Sequence, residues 1–181
     1  MADANDATLL RKIVDRWMSG RPKLLVWDFD LTILNTHAFS EGVEVDEVAD
    51  RWQEDIADVE LFRAFVSAAL AQNATVGIAS YGRREVIAEY MQHVFADNCP
   101  FNGDNIVTPQ ALGLPDGTSV PAGKPQMLEL LCQRATPAGC DRSAVVFFDD
   151  DPDNVRDCLA AGFARAYHTP DGFTAQALEG L

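Results

Sequence analysis

The sequence predicts an α/β fold: a Rossmann-like three-layer α/β/α sandwich on a central parallel sheet of about five strands. Three observations carry this expectation. Short continuous apolar runs recur along the chain, amphipathic helical segments separate them, and polar residues follow each run abruptly. Strands that alternate with helices favour parallel pairing, because a parallel crossover needs a connection long enough to hold a helix.

The elements follow in order. Leu9, Leu10, Ile13, Val14 and Trp17 recur at helical spacing within about 6–18, and Gly20 ends that helix. Leu24-Leu25-Val26-Trp27 is an unbroken apolar run, which predicts a strand buried on both faces, and it stops at Asp28-Phe29-Asp30. Residues 33–58 are polar and acidic and are interrupted by Gly42. Val45, Val48, Trp52 and Ile56 hint at one short helix there, so the segment is expected to be a flap. Leu61, Phe62, Phe65, Val66 and Ala69 predict a helix over 59–72, followed by a buried strand at 75–79 and a helix over 84–96. Ile106-Val107 reads as a short strand, and the breakers Pro109, Gly113, Pro115, Gly117, Pro121 and Gly123 mark 108–123 as loop. A helix at 125–135, a strand at 144–148, a helix at 152–161 and a strand at 163–167 complete the pattern.

A chain of 181 residues suits a single domain, 1–181, carrying a small insert. Its 14 Lys and Arg stand against 28 Asp and Glu, a net charge of −14. That field repels phosphodiester backbones and anionic lipid, so neither nucleic acid nor membrane is an expected partner. No window approaches a membrane span and the N-terminus lacks a leader pattern, which makes a cytoplasmic location the default expectation. Cys99, Cys132, Cys140 and Cys158 form no CxxC pair and have no His at metal-ligand spacing; they read as reduced, structural thiols.

In parallel sheets, ligands bind at the carboxyl ends of the strands, so the polar residues closing each run are the ones that carry chemistry. The first strand ends in Asp28-Phe29-Asp30-Leu31-Thr32, the second in Ser80-Tyr81-Gly82, and the strand at 144–148 in Asp149-Asp150-Asp151; Lys124 stands at a helix start. Carboxylates crowded in this way need a cation to stay ionised, and hard oxygen ligands suit Mg²⁺. Two carboxylates in such a field can divide their roles, one as nucleophile and the other as general acid and then base. Lys124 and the Ser80 hydroxyl, with Tyr81 and Thr32 beside them, are candidates to meet an anionic substrate, and the set suits a phosphoryl group.

The order of these residues resembles the haloacid dehalogenase superfamily of phosphatases over most of the chain, from Leu24 to about His168. The resemblance rests on DxDxT at Asp28-Phe29-Asp30-Leu31-Thr32, Ser80 after Ile78-Ala79, Lys124 in Gly-Lys-Pro, and Asp149-Asp150. It implies that Asp28 becomes an aspartyl phosphate and that Asp30 protonates the leaving group and then activates water. It also implies that Asp28, the Asp30 backbone carbonyl and Asp149 hold Mg²⁺, with Asp150 bound directly or through water. Only about 50 residues separate Asp30 from Ser80, too few for a full cap domain. The chain is therefore similar to the capless or minimally capped branch, most of all to magnesium-dependent protein-tyrosine or sugar-phosphate phosphatases. The expected substrate is a phosphorylated small molecule or a phosphoprotein. A phosphotransferase or phosphomutase on the same apparatus is the enzymatic alternative, and a non-catalytic module binding a divalent ion or a partner is the other.

Other residues carry plainer readings. Asp151 and Asp153 suit a helix start, with Asp151 as N-cap and Pro152 at the first position. Asn154 divides evenly between a partner of the metal carboxylates and an ordinary first-turn residue. His37 and Phe39, just past the catalytic loop, are candidates to touch substrate, with simple exposure the plainer reading; His93 and His168 are expected to lie outside the site, and Trp27 matches no substrate signature.

Overall fold

The computed structural model describes residues 4–136 and 139–181; the opening Met1 to Asp3, part of the stretch without a leader pattern, lie outside this range. Five strands, β1 (Leu24–Trp27), β2 (Thr75–Ala79), β3 (Ile106–Val107), β4 (Val145–Asp149) and β5 (Arg165–His168), form one sheet in the order β3-β2-β1-β4-β5. Every pairing is parallel. The strand order reverses at β1, which places a crevice above its carboxyl end and that of β4.

Alternation along β1 divides the core. Leu25 and Trp27 face one cluster with Val76, Ile78, Val146 and Phe148, packed by α1 (Ala4–Met18), α4 (Val59–Ala71) and α5 (Arg84–Phe95). Leu24 and Val26 face a second cluster, with Phe147, Met127, Leu128 and Cys158, packed by α6 (Gly123–Ala135) and α7 (Pro152–Ala160). The result is the expected three-layer sandwich, and burial on both faces explains why β1 and β4 read as unbroken apolar runs. Trp27 is 0 % exposed and meets Phe62 edge-on at 5.2 Å and Phe173 at 5.6 Å. It is a packing residue directly behind the site.

The insert is more helical than its composition suggests. It holds a single turn, α2 (Ala38–Glu41), a 3-10 turn (Val45–Glu47) and α3 (Val48–Asp55). Its two ends meet at an antiparallel bridge between Leu34 and Ile56, where the Asn35 N–H also donates to the Asp55 carbonyl at 2.8 Å. Asp55 is buried; it receives Arg51 at 2.5 Å and the Tyr90 hydroxyl of α5, which pins the insert to the sandwich. A final short helix, α8 (Ala175–Glu179), capped by Thr174, had no counterpart in the sequence reading. The last strand lies slightly later than expected, at Arg165–His168 instead of 163–167.

The cysteine expectation is corrected. Cys132 of α6 and Cys140 form a disulfide across a separation of 8 residues, their Cα atoms 5.2 Å apart. Cys99 and Cys158 are free. Among the described residues no helix is long and apolar enough to cross a membrane.

Candidate active site at the carboxyl edge of the sheet

Parallel register assembles the site. Trp27 pairs with Phe148 and with Ile78, and the Asp28 N–H donates to the Phe148 carbonyl at 2.8 Å. Asp28 thus emerges level with Asp149 on one side and Ala79 on the other. One carboxylate oxygen from each of Asp28, Asp149 and Asp150 lies within 4.8 Å of the others.

Beyond Asp28 the chain makes a tight turn over Phe29–Ile33, closed by the Leu34 N–H on the Phe29 carbonyl at 2.9 Å. Leu31 takes a left-handed backbone, φ 57°, an unusual conformation for a branched residue. The turn brings the Asp30 carboxylate back to the cleft, where its Oδ1 is buried without a hydrogen-bond partner. His37 is exposed, as expected, yet its Nδ1 sits 3.3 Å from Asp30 Oδ2. Sequence reasoning placed it only near substrate and missed the contact with Asp30, because a loop histidine carries no spacing signal.

Lys124 enters from the first turn of α6 and is 1 % exposed. Its ammonium donates to Asp28 Oδ1 and to the Ala79 carbonyl at 2.7 Å, and lies 3.3 Å from Asp149 Oδ2. The Tyr81 ring covers it at 5.0 Å. Lys124 therefore sits beneath the cleft wall with its donors directed at protein oxygens, where the sequence reading put it directly on the phosphate.

Thr32 is also placed differently from the expectation of a phosphate contact. It is fully buried, and its hydroxyl accepts from the Asp150 N–H at 3.0 Å, so it holds the Asp150 loop from behind. Ser80 and Tyr81 do line the cleft, a hollow of about 160 Å³, with Asp28, Asp30 and Asp150. The Ser80 hydroxyl accepts from the Gly82 N–H at 3.0 Å, and a Cβ on Gly82 would stand 3.3 Å from that oxygen and 3.6 Å from Asp30 Oδ2. Glycine is needed there for this close approach.

The even choice over Asn154 resolves in favour of the carboxylates: its amide donates to both oxygens of Asp149 at 3.1 Å. The Asp151 N–H adds a bond of 2.8 Å to Asp149 Oδ1, while the Asp151 side chain caps α7, as expected. His168, read as remote, lies opposite Asp149 in the β4–β5 register, and its Nε2 is 2.8 Å from the Asp150 carbonyl. His93 stays outside the site, stacked on Trp52.

Electrostatics agree with the crowding. Burial pushes the Asp28 carboxyl well above the usual carboxylate range; Lys124 opposes the shift and the charge of Asp149 adds to it. Burial also raises Asp150, helped by Asp149, and raises Asp30 against the pull of His37 and the Ala38 and Phe39 amides. Burial works against the Lys124 ammonium, but Asp149 and Asp28 outweigh it and its pKa is raised. Three acidic oxygens so close, offset by one ammonium, form a hard donor set suited to a divalent cation such as Mg²⁺.

No family model, curated protein or solved structure matches the chain. The functional reading therefore rests on the site's own chemistry.

Proposed function

We propose that the protein hydrolyses phosphate monoesters of small molecules or proteins through an aspartyl phosphate on Asp28, with Mg²⁺ as cofactor. The observation that carries this reading is the convergence of Asp28, Asp149 and Asp150 on one point, with Lys124 beneath and Asp30 at the cleft wall. Asp28, Asp149, Asp150 and the Asp30 backbone carbonyl would hold the ion. Bound there, Mg²⁺ supplies positive charge to the phosphoryl oxygens and keeps the carboxylates ionised.

In the first step an Asp28 carboxylate oxygen attacks phosphorus, the bond from phosphorus to the ester oxygen breaks, and Asp30 gives its proton to the departing oxygen. The upward displacement of Asp30 by burial supports its holding that proton. In the second step Asp30 takes a proton from water as the water oxygen attacks the same phosphorus. The bond to Asp28 breaks, inorganic phosphate leaves, and Asp28 returns as a carboxylate. Lys124 keeps Asp28 oriented throughout, and Asn154 fixes Asp149.

The test is hydrolysis of an aryl phosphate with and without Mg²⁺. Activity that needs the ion, falls by about 10³-fold or more in Asp28→Asn, and gives way to an accumulating phosphoenzyme in Asp30→Asn supports the reading. Undiminished turnover in Asp28→Asn removes it.

A further inference from the structure

We propose that the group released from phosphate is an alcohol or phenol without negative charge, neutral or cationic; this rests on the phosphatase reading of the same cleft. The direction of departure follows from Asp30. Because that carboxyl gives its proton to the leaving oxygen, the rest of the leaving group must lie on Asp30's side, beside Leu31 and His37.

That side offers no fixed positive charge to an anion. Besides the residues given to the phosphoryl group and the ion, the cleft is lined by Leu31, His37, Tyr81 and Asp151, and among the described residues lining it there is no lysine or arginine. Leu31 is 38 % exposed, an apolar surface at the mouth. Lys124 and Arg83, the basic residues described beside the cleft and its adjoining hollow, are both engaged. Lys124 is buried against Asp28, Asp149 and the Ala79 carbonyl. Arg83, in the wall of a small adjoining hollow beside Asp30, gives its guanidinium to both Glu44 oxygens at 3.0 Å and to the Val43 carbonyl. His37 turns its Nδ1 toward Asp30 Oδ2 at 3.3 Å and accepts the Ser40 N–H on the same nitrogen, so that atom is engaged within the loop.

A second phosphate or a carboxylate on the leaving group would therefore meet the Asp151 carboxylate with no lysine or arginine in the lining to offset it, in a chain of net charge −14, while Asp150 and the ion it would hold belong to the phosphoryl end. Repulsion by one carboxylate in a partly desolvated cleft is on the order of tenfold or more. An ammonium group gains from the same carboxylate, and an uncharged group can rest on Leu31 and the Tyr81 ring.

The experiment compares three esters of similar size with Mg²⁺ present: 2-aminoethyl phosphate, propyl phosphate and carboxymethyl phosphate. Inhibition by 2-aminoethylphosphonate and phosphonoacetate is measured alongside. The expected result is a kcat/KM for the carboxymethyl ester about tenfold or more below the other two, with the same preference in the inhibition constants. Leu31→Arg, which keeps a side chain on a backbone that already carries one, narrows that gap about tenfold. Asp151→Asn, which retains a cap for α7, narrows it in the same direction. Carboxymethyl phosphate turned over as well as propyl phosphate overturns the inference and leaves the phosphatase reading standing. Selective binding of 2-aminoethylphosphonate without turnover of any ester overturns the phosphatase reading and leaves the charge selection.

Discussion

Lys124 Nζ lies 3.3 Å from Asp149 Oδ2, and both side chains are wholly closed to solvent. An ion pair of this kind is costly to halve, since the surviving charge stays buried without compensation. Lys124→Met leaves Asp149 and Asp28 facing each other, and the expected loss in metal-free protein is about 3–5 kcal/mol by chemical denaturation. Mg²⁺ should restore much of it. Full stability of the variant in EDTA would show that the ammonium does not carry the charge balance.

Asn154 touches both oxygens of Asp149 and has no other bonded role at the site. Removing such a support weakens metal binding about 10–100-fold. Calorimetric titration of Asn154→Ala with Mg²⁺ is expected to show this loss while the midpoint of unfolding in EDTA changes little. Equal affinity in both proteins would reduce Asn154 to a helix residue.

The pH dependence of stability should change sign with the metal. Asp28, Asp30 and Asp150 are all displaced upward, chiefly by burial. A carboxyl with a raised folded pKa binds its proton more tightly in the folded chain, so folding is disfavoured above that value and recovers as pH falls through it. In EDTA, Tm is expected to rise by a few degrees as pH is lowered from about 8 toward the ordinary carboxylate range. Saturating Mg²⁺ favours the ionised forms and should flatten or reverse the slope. A thermal scan series with an identical slope in both conditions would contradict the metal site.

Thiol chemistry offers an independent check. Cys158 is fully buried, and burial, then Asp149, push its thiol up to about 12, so its thiolate fraction at about pH 8 is near 10⁻⁴. Iodoacetamide should leave it unmodified in the native protein. After unfolding without reductant, mass spectrometry should count two modified cysteines, Cys99 and Cys158, because Cys132 and Cys140 are paired. Four modified residues would refute the disulfide.

The centre of the sheet was legible because β1 and β4 are buried on both faces and so appear as uninterrupted apolar words, Leu24 to Trp27 and Val145 to Phe148, whereas the half-exposed edge strand β5 was placed two residues early. Asp28, Asp149 and Lys124 were legible because they close such words or open a helix. What escaped depends on relations between strands and loops. His168 reaches Asp150 only through the β4–β5 register, and His37 reaches Asp30 only because the 29–33 turn doubles back. Thr32 was misplaced because its hydroxyl answers to a backbone amide 118 positions away. The Cys132–Cys140 pair joins residues 8 apart, a separation that carries no CxxC-type signal. The short helix α8 is held by its Thr174 cap and the packing of Leu178, too small an element to leave a periodic trace.

The bridge between Leu34 and Ile56 has a broader meaning. An excursion whose two ends meet at one rung is topologically a cassette: β1 and α4 keep their places whatever lies between, provided a replacement also answers Tyr90 and Arg83, where the present insert is fastened. Evolution or an engineer can thus re-tool what reaches the catalytic edge by respecting those two fastenings while the strands that align the carboxylates stay as they are.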